Sequence, residues 1–102
     1  MPGFVRVADA AELAPGSGKE IVVGGQSLAL FNMDGRFHAI GNRCAHRGGP
    51  LGQGTLVGQV VMCPLHAFAF DVTTGISPDD PQLRVPSYEV EVSDGGVFVK
   101  LE

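Results

Sequence analysis

The sequence predicts an all-β protein assembled largely from hairpins. Short segments alternate apolar and polar residues, as strands with one buried face do. Gly-Gly and Asp-Gly pairs separate several of these segments, and both pairs are typical of hairpin turns. In addition, 15 glycines and 7 prolines among 102 residues indicate many further turns. A chain of this length forms one domain with a modest core.

The N-terminal part contains two predicted hairpins. A strand in "FVRV" comes first, and Asp9 then caps one helical turn over Ala10–Leu13. "KEIVV" and "QSLALF" form a hairpin through Gly24-Gly25. Asp34-Gly35 turns the chain into a returning strand over Arg36–Ile40.

The second half alternates irregular stretches with short strands. A glycine-rich loop without periodicity covers residues 41–54, and a tight hairpin follows about Gly58. "AFAFDV" predicts a further strand, and "ISPDDPQLRVP" predicts a second irregular stretch. "SYEVEV" and "VFVKL" predict the two closing strands.

Two short boxes hold both cysteines and two of the three histidines. Cys44 and His46 form a C-x-H box, and Cys63 and His66 form a C-x-x-H box. Two sulfurs and two imidazoles suit zinc or an iron–sulfur centre, so the boxes predict a metal site without choosing the metal. A single disulfide is the alternative for the cysteines, but their neighbouring histidines favour metal binding. His38 faces away from Phe37 and Ala39 in its strand, so we expect a surface residue and not a ligand.

Charge and motif content exclude several functions. The net charge of −4 argues against nucleic-acid binding, which needs a clustered basic surface. "PGSGKE" and "GQGTLVG" both lack glycines that phosphate-binding loops require. The N-terminus shows no signal-peptide pattern, and runs such as "IVV" are too short to span a membrane. We therefore expect a soluble, cytoplasmic protein.

The two boxes, with "HRGG" after the first and "CPLH" within the second, resemble the Rieske iron–sulfur family. The resemblance is closest to the small bacterial Rieske-type ferredoxins, and it covers nearly the whole chain. It implies an antiparallel β-sandwich, with a base formed by residues 1–40 and 72–102. A cluster-binding insertion would span residues 41–71.

The resemblance also implies one [2Fe-2S] cluster held by both boxes. Cys44 and Cys63 would bind one iron, and His46 and His66 the other. High-potential relatives have side chains with hydroxyl donors at the positions of Phe68 and Phe70. The phenylalanine side chains of this chain cannot donate hydrogen bonds. We therefore expect a potential near the low end of the Rieske range, roughly −150 mV. Many relatives have glycine where this chain has Ala67, so the resemblance does not predict the conformation of that loop.

The function that the resemblance implies is one-electron transfer. The carrier would receive electrons from an NAD(P)H-dependent flavoprotein reductase and pass them to a terminal oxygenase. The chain cannot be the oxygenase, because its second iron site needs two histidines and only His38 remains after the cluster is served. Two alternatives stay open: a small subunit of a nitrite-reductase-like enzyme, and a zinc-stabilised structural module.

Partner docking is expected at the tip that carries the histidines. Arg47–Leu51 and Ser77–Gln82 would frame this tip, with Leu51 as an apolar contact. Asp79 and Asp80 either steer partners by long-range attraction or only keep their loop solvated.

Overall fold

The computed structural model describes residues 3–45, 48–65 and 68–101. Within these residues the regular secondary structure consists of β-strands and two short 3-10 turns, at Ala10–Glu12 and Leu51–Gln53. The strands are β1 (Phe4–Asp9), β2 (Gly18–Val23), β3 (Gln26–Met33), β4 (Arg36–Gly41), β5 (Thr55–Val57), β6 (Val60–Met62), β7 (Ala69–Asp71), β8 (Ser87–Tyr88), β9 (Val90–Ser93) and β10 (Gly96–Lys100).

The strands form three antiparallel sheets. Sheet I has the order β1-β10-β9, sheet II the order β2-β3-β4-β8, and sheet III the order β5-β6-β7. Sheets I and II enclose one core, which contains Ala8, Leu13, Ile21, Leu28, Leu30, Ala39, Val97 and Val99. The opposite face of sheet II contributes to a second core with sheet III and the loops, which contains Ala29, Phe31, Ile40, Cys44, Leu51, Val61, Cys63, Phe70, Val72 and Val85. The predicted antiparallel β-sandwich is confirmed.

Strand β3 explains why sheet II is the central layer. Leu28 and Leu30 belong to the core shared with sheet I, whereas Ala29 and Phe31 belong to the core shared with sheet III. All four side chains are at most 1% exposed. Successive residues of a strand point to opposite faces, so the unbroken apolar run in β3 reflects burial on both sides.

The two predicted N-terminal hairpins are confirmed. Gly24 and Gly25 join β2 to β3 with φ angles of 56° and 79°, and Asp34 and Gly35 join β3 to β4 with 55° and 95°. Positive φ at both central residues matches the right-handed twist of the strands, which is why these residue types occupy the turns.

The predicted closing strand in "SYEVEV" is wrong as a single element. Ser87 and Tyr88 pair with β4 in sheet II, whereas Val90–Ser93 pair with β10 in sheet I. Glu89 lies at the crossing, and its carbonyl accepts a hydrogen bond from Lys100 N–H at 3.0 Å. The chain thus leaves one layer of the sandwich and enters the other within one continuous alternating segment.

The predicted helical turn after β1 is a short 3-10 turn. It covers Ala10–Glu12, and the backbone N–H of Asp9 donates to Glu12 Oε2 at 3.0 Å. The turn carries the chain from sheet I to Leu13, which packs in the core between sheets I and II. Among the residues that the structure describes, no helix has the length and apolar character to span a membrane.

Candidate metal centre

Cys44 lies in a tight loop after β4. Its N–H donates to Gly49 O at 2.8 Å, and Gly48 N–H donates to Cys44 O at 2.7 Å. Gly48 has a φ of +73°, a conformation that side-chain-bearing residues rarely adopt. The two crossing hydrogen bonds hold the cysteine backbone at a fixed place in the first loop.

Cys63 lies where β6 ends and the second loop begins. Its N–H donates to Phe68 O at 2.8 Å, so the two residues close the loop at its base. Beyond Phe68 the chain continues into β7, which pairs with β6. The second loop is therefore the end of a hairpin, and Cys63 is positioned by the register of sheet III.

The two cysteine side chains meet in the core between sheets II and III. Both are 2% exposed, both are free thiols, and they contact each other directly. Burial raises the pKa of the Cys63 thiol, and the neighbouring Cys44 thiol raises this pKa further. The backbone N–H groups of Leu65 and Gly49 donate to the Cys63 sulfur and act in the opposite direction.

This environment fits a sulfur-bound iron centre. Two thiolates placed side by side repel each other, and a bound cation removes that repulsion. Backbone N–H donors stabilise negative charge on sulfur whether or not an ion is bound. Two adjacent buried sulfurs with such donors are suited to share one metal ion.

Gly49 lies against the site, at a position with no room for a side chain. A Cβ at this position would lie 2.7 Å from Cys63 Sγ and 3.1 Å from the Leu65 side chain. The φ of Gly49 is not in the left-handed region, so close contact and not backbone strain explains the glycine. The backbone therefore approaches the Cys63 sulfur closely at this residue.

Asn42 fastens the first loop to the base. Its Nδ2 donates to Glu20 Oε1 at 2.8 Å and to Ser27 Oγ at 3.0 Å, while its Oδ1 accepts from Gly52 N–H at 2.7 Å. Glu20 also accepts a hydrogen bond from Gln53 Nε2 at 2.5 Å. The bond from Gln53 and then that from Asn42 lower the pKa of the Glu20 carboxyl. The sequence offered no signal for this network, because its partners lie far apart along the chain.

The histidines of both boxes lie outside the described residues. The same holds for Arg47 and for Ala67, so His46 and His66 remain predictions as ligands. Across residues 3–45, 48–65 and 68–101, no three or more Cys, His, Asp or Glu side chains meet in a metal-binding group. Cys44 and Cys63 are thus the predicted ligands that the structure brings together.

The expectation that His38 is a surface residue is wrong. It pairs with Phe31 and is half-buried on the face of sheet II that meets sheet III. Its Nε2 is buried without a hydrogen-bond partner among the described residues. Burial, and then the positive charge of Arg36, lower the pKa of His38, while Asp71 acts in the opposite direction. The alternation of β4 was interpreted correctly, but both faces of this strand are covered.

The expectation that Leu51 is an apolar contact at the tip is also wrong. Leu51 is 0% exposed and packs in the same core as the two cysteines. Leu65, between Cys63 and His66, is instead 46% exposed. The apolar surface beside the site therefore belongs to the second box.

Two phenylalanines occupy the positions where high-potential relatives have hydroxyl donors. Phe70 is fully buried, and Phe68 packs against the same core. Their ring centroids are 5.9 Å apart with an interplanar angle of 54°. Neither side chain carries a hydrogen-bond donor, so neither donates to a cysteine sulfur.

Comparison with known proteins identifies the type of centre. Residues 3–89 match the Rieske [2Fe-2S] domain. The protein named ferredoxin CarAc from Metapseudomonas resinovorans is 35% identical over 98 residues, which cover 94% of this chain and 92% of that protein. This likeness spans both cysteine boxes.

Two solved structures extend the comparison to the fold. A chain from the complex of reduced oxygenase and oxidized ferredoxin in carbazole 1,9a-dioxygenase is 34% identical, with a TM-score of 0.88 over 100% of this chain and 96% of that chain. A protein from Mycobacterium tuberculosis, assigned as the small subunit of an NADH-dependent nitrite reductase, is 30% identical. Its TM-score is 0.88 over 94% of this chain and 92% of that chain.

Proposed function

This chain belongs to the Rieske [2Fe-2S] family, and on that basis we propose that it is a one-electron carrier of an oxygenase system. It receives electrons from an NAD(P)H-dependent flavoprotein reductase and delivers them to a terminal oxygenase. The extent of the match is the main support for this proposal, since the alignment covers 94% of this chain and 92% of a ferredoxin. The match therefore supports an electron-transfer component and not a catalyst.

We propose that Cys44 and Cys63 bind one iron of the cluster and that His46 and His66 bind the other. The contact between the two buried sulfurs and the N–H donors to the Cys63 sulfur support the cysteine half. The spacing of the boxes supports the histidine half. When bound, the [2Fe-2S] cluster supplies a site that accepts and releases a single electron. Neutral imidazoles in place of two thiolates raise its potential above that of an all-cysteine cluster.

The proposed division of the domain follows from this ligation. Residues 1–40 and 72–102 form the base, and residues 41–71 form the cluster-binding insertion. Sheet III and both cysteines lie within the insertion, which supports this boundary. The insertion is not an independent unit, because its apolar side chains share a core with Phe31 and Ile40 of the base.

The proposed route of the electron follows from the burial of the cysteines. Cys44 and Cys63 lie beneath the loops, so a partner approaches the histidine side of the centre. Leu65 supplies exposed apolar surface next to His66, and Arg43 adds an exposed positive charge beside the first loop. We propose that both redox partners dock transiently on this surface. We propose that the carrier acts in the cytoplasm, because its proposed reductase depends on NAD(P)H.

A second candidate function is supported by the likeness to the nitrite reductase small subunit. In that role the chain would stay bound to a large catalytic subunit and would not exchange between partners. Both candidate functions use the same fold, so the fold does not separate them. The lifetime of the complex with the redox partner does separate them, because a carrier must dissociate between its reductase and its oxygenase.

Anaerobic stopped-flow mixing tests the proposed function. The purified protein is mixed with NADH and an oxygenase-system flavoprotein reductase, and then with a terminal oxygenase of the carbazole type. We expect bleaching of the cluster absorbance by the reductase and reoxidation by the oxygenase. The His66→Ala protein, which lacks one proposed ligand, serves as the inactive control. Reduced protein that transfers no electron to any oxygenase, yet co-purifies with a large subunit that consumes nitrite, would favour the second function.

A further inference from the structure

The irregular segment before β8 is an ordered turn built around Ser77. This serine is 0% exposed, and its Oγ accepts hydrogen bonds from the N–H groups of Asp79 at 3.2 Å and Asp80 at 3.3 Å. Its own N–H donates to Leu83 O at 3.0 Å, and Leu83 N–H donates to Asp80 O at 2.8 Å. The turn therefore fixes the backbone from which both carboxylates extend.

Asp79 reaches from this turn to the second cluster loop. Its Oδ2 accepts a hydrogen bond from Ala69 N–H at 3.0 Å. The carbonyl of the same peptide group, Phe68 O, accepts the hydrogen bond from Cys63 N–H at 2.8 Å. A single peptide group thus connects the carboxylate to the backbone of a proposed iron ligand.

The neighbouring Asp80 has a different arrangement. Its Oδ1 accepts a hydrogen bond from Gln82 N–H at 3.1 Å, within its own turn. Asp79 and Asp80 carry the same charge, but only the Asp79 carboxylate has a hydrogen bond to the second loop among the contacts described above. This difference makes Asp80 a matched control for Asp79.

We propose that Asp79 is a positioning residue for the second cluster loop and that its negative charge lowers the reduction potential of the bound cluster. This inference rests on the proposed function. A fixed negative charge opposes the addition of an electron nearby, so it favours the oxidised state. The hydrogen-bonded Phe68–Ala69 peptide is polarised by the carboxylate and extends its influence to Cys63. Asp79 is exposed, so salt screens part of the effect.

Substitutions at this residue separate charge from geometry. Asp79→Asn removes the charge, but its amide oxygen still accepts the bond from Ala69 N–H. Asp79→Ala removes both, and Asp79→Glu keeps the charge. Asp80→Asn removes the same charge from a side chain that does not bond to the loop.

The test is spectroelectrochemical titration of the cluster-loaded parent and these four variants at low and high salt, with visible circular dichroism as a check of cluster geometry. We expect the D79N protein to keep the parent spectrum and to have a higher potential. The D80N shift should be smaller, and the D79E potential should stay near that of the parent. The D79N shift should decrease at high salt. The D79A protein should lose its cluster to a chelator faster than the D79N protein.

Equal shifts in the D79N and D80N proteins would overturn the inference, as would an unchanged D79N potential. A D79E shift as large as that of D79N would also contradict it. A parent protein that binds no [2Fe-2S] cluster would overturn the proposed function itself, and this inference with it. The cluster content of the parent protein therefore distinguishes failure of the proposed function from failure of the inference about Asp79.

Discussion

Replacement of Gly49 by alanine should weaken retention of the cluster, because the added methyl group would meet a cysteine sulfur. The new Cβ would lie 2.7 Å from Cys63 Sγ, whereas optimal non-bonded contacts are roughly 3.5–4.0 Å. The Leu65 side chain is also close, but it is half-exposed and able to move. The sulfur cannot move in the same way, because an iron would hold it on one side and β6 on the other.

Overpacking of this kind costs about 1–3 kcal/mol, which corresponds to roughly a 5- to 150-fold change in an equilibrium constant. We expect that loss to appear as faster release of iron to a strong chelator, followed by the decay of visible absorbance. Gly96→Ala is the matched control. Its Cβ would lie 3.2 Å from both the Arg6 guanidinium carbon and Phe98 Cε1, two side chains of sheet I, which contains neither cysteine. A Gly49→Ala protein that retains iron as long as the Gly96→Ala protein would refute the close-contact argument.

Three further predictions concern the potential, pH dependence and docking. Phe70→Tyr should raise the reduction potential in voltammetry if its phenol donates to a cysteine sulfur, and an unchanged potential with an intact cluster would show that another interaction sets it. The melting temperature of the parent should fall from about pH 8 to about pH 5 more than that of His38→Gln, because the pKa of His38 is lower in the folded than in the unfolded protein and proton uptake therefore favours unfolding. Equal falls in both proteins would contradict this. Leu65→Asp should slow reduction by the reductase at any salt concentration, whereas Val92→Asp, equally exposed in sheet I, should not; equal rates would exclude Leu65 from the docking surface.

The hairpins were predictable because their signals are local. Gly24-Gly25 and Asp34-Gly35 have the residue types that positive φ requires, and the alternation beside them marks the strands. The break at Glu89 was not predictable in this way. The alternation of "SYEVEV" is continuous, and only pairing with two different sheets divides it into β8 and β9.

Burial between packed layers explains the errors at His38 and Leu51. His38 was placed on the correct face, but that face meets sheet III instead of solvent. Leu51 lies in a glycine-rich loop with no periodicity to indicate burial, and the 3-10 turn directs it into the core. Such contacts depend on which layers pack together, and the residue pattern of a single strand does not predict that packing.

The sequence indicated candidate ligands for the site, but it gave no sign of the residues that hold the ligand-bearing loops in place. The boxes identified Cys44 and Cys63, which the structure brings into contact, while His46 and His66 stay predictions. Asn42 has partners 22 and 15 positions away, and Asp79 bonds to a residue 10 positions away. Neither residue belongs to a motif, so only the folded chain shows that it supports a cluster loop.

The most direct test of this account is a Mössbauer spectrum of the iron-57-enriched protein before and after one-electron reduction. Ligation by Cys44 and Cys63 on one iron and by His46 and His66 on the other predicts two iron sites of equal area with different isomer shifts. On reduction, the added electron should localise on the iron bound by the two neutral imidazoles, so only one site should become ferrous. Two equivalent irons, or protein that contains zinc and no iron, would contradict the account.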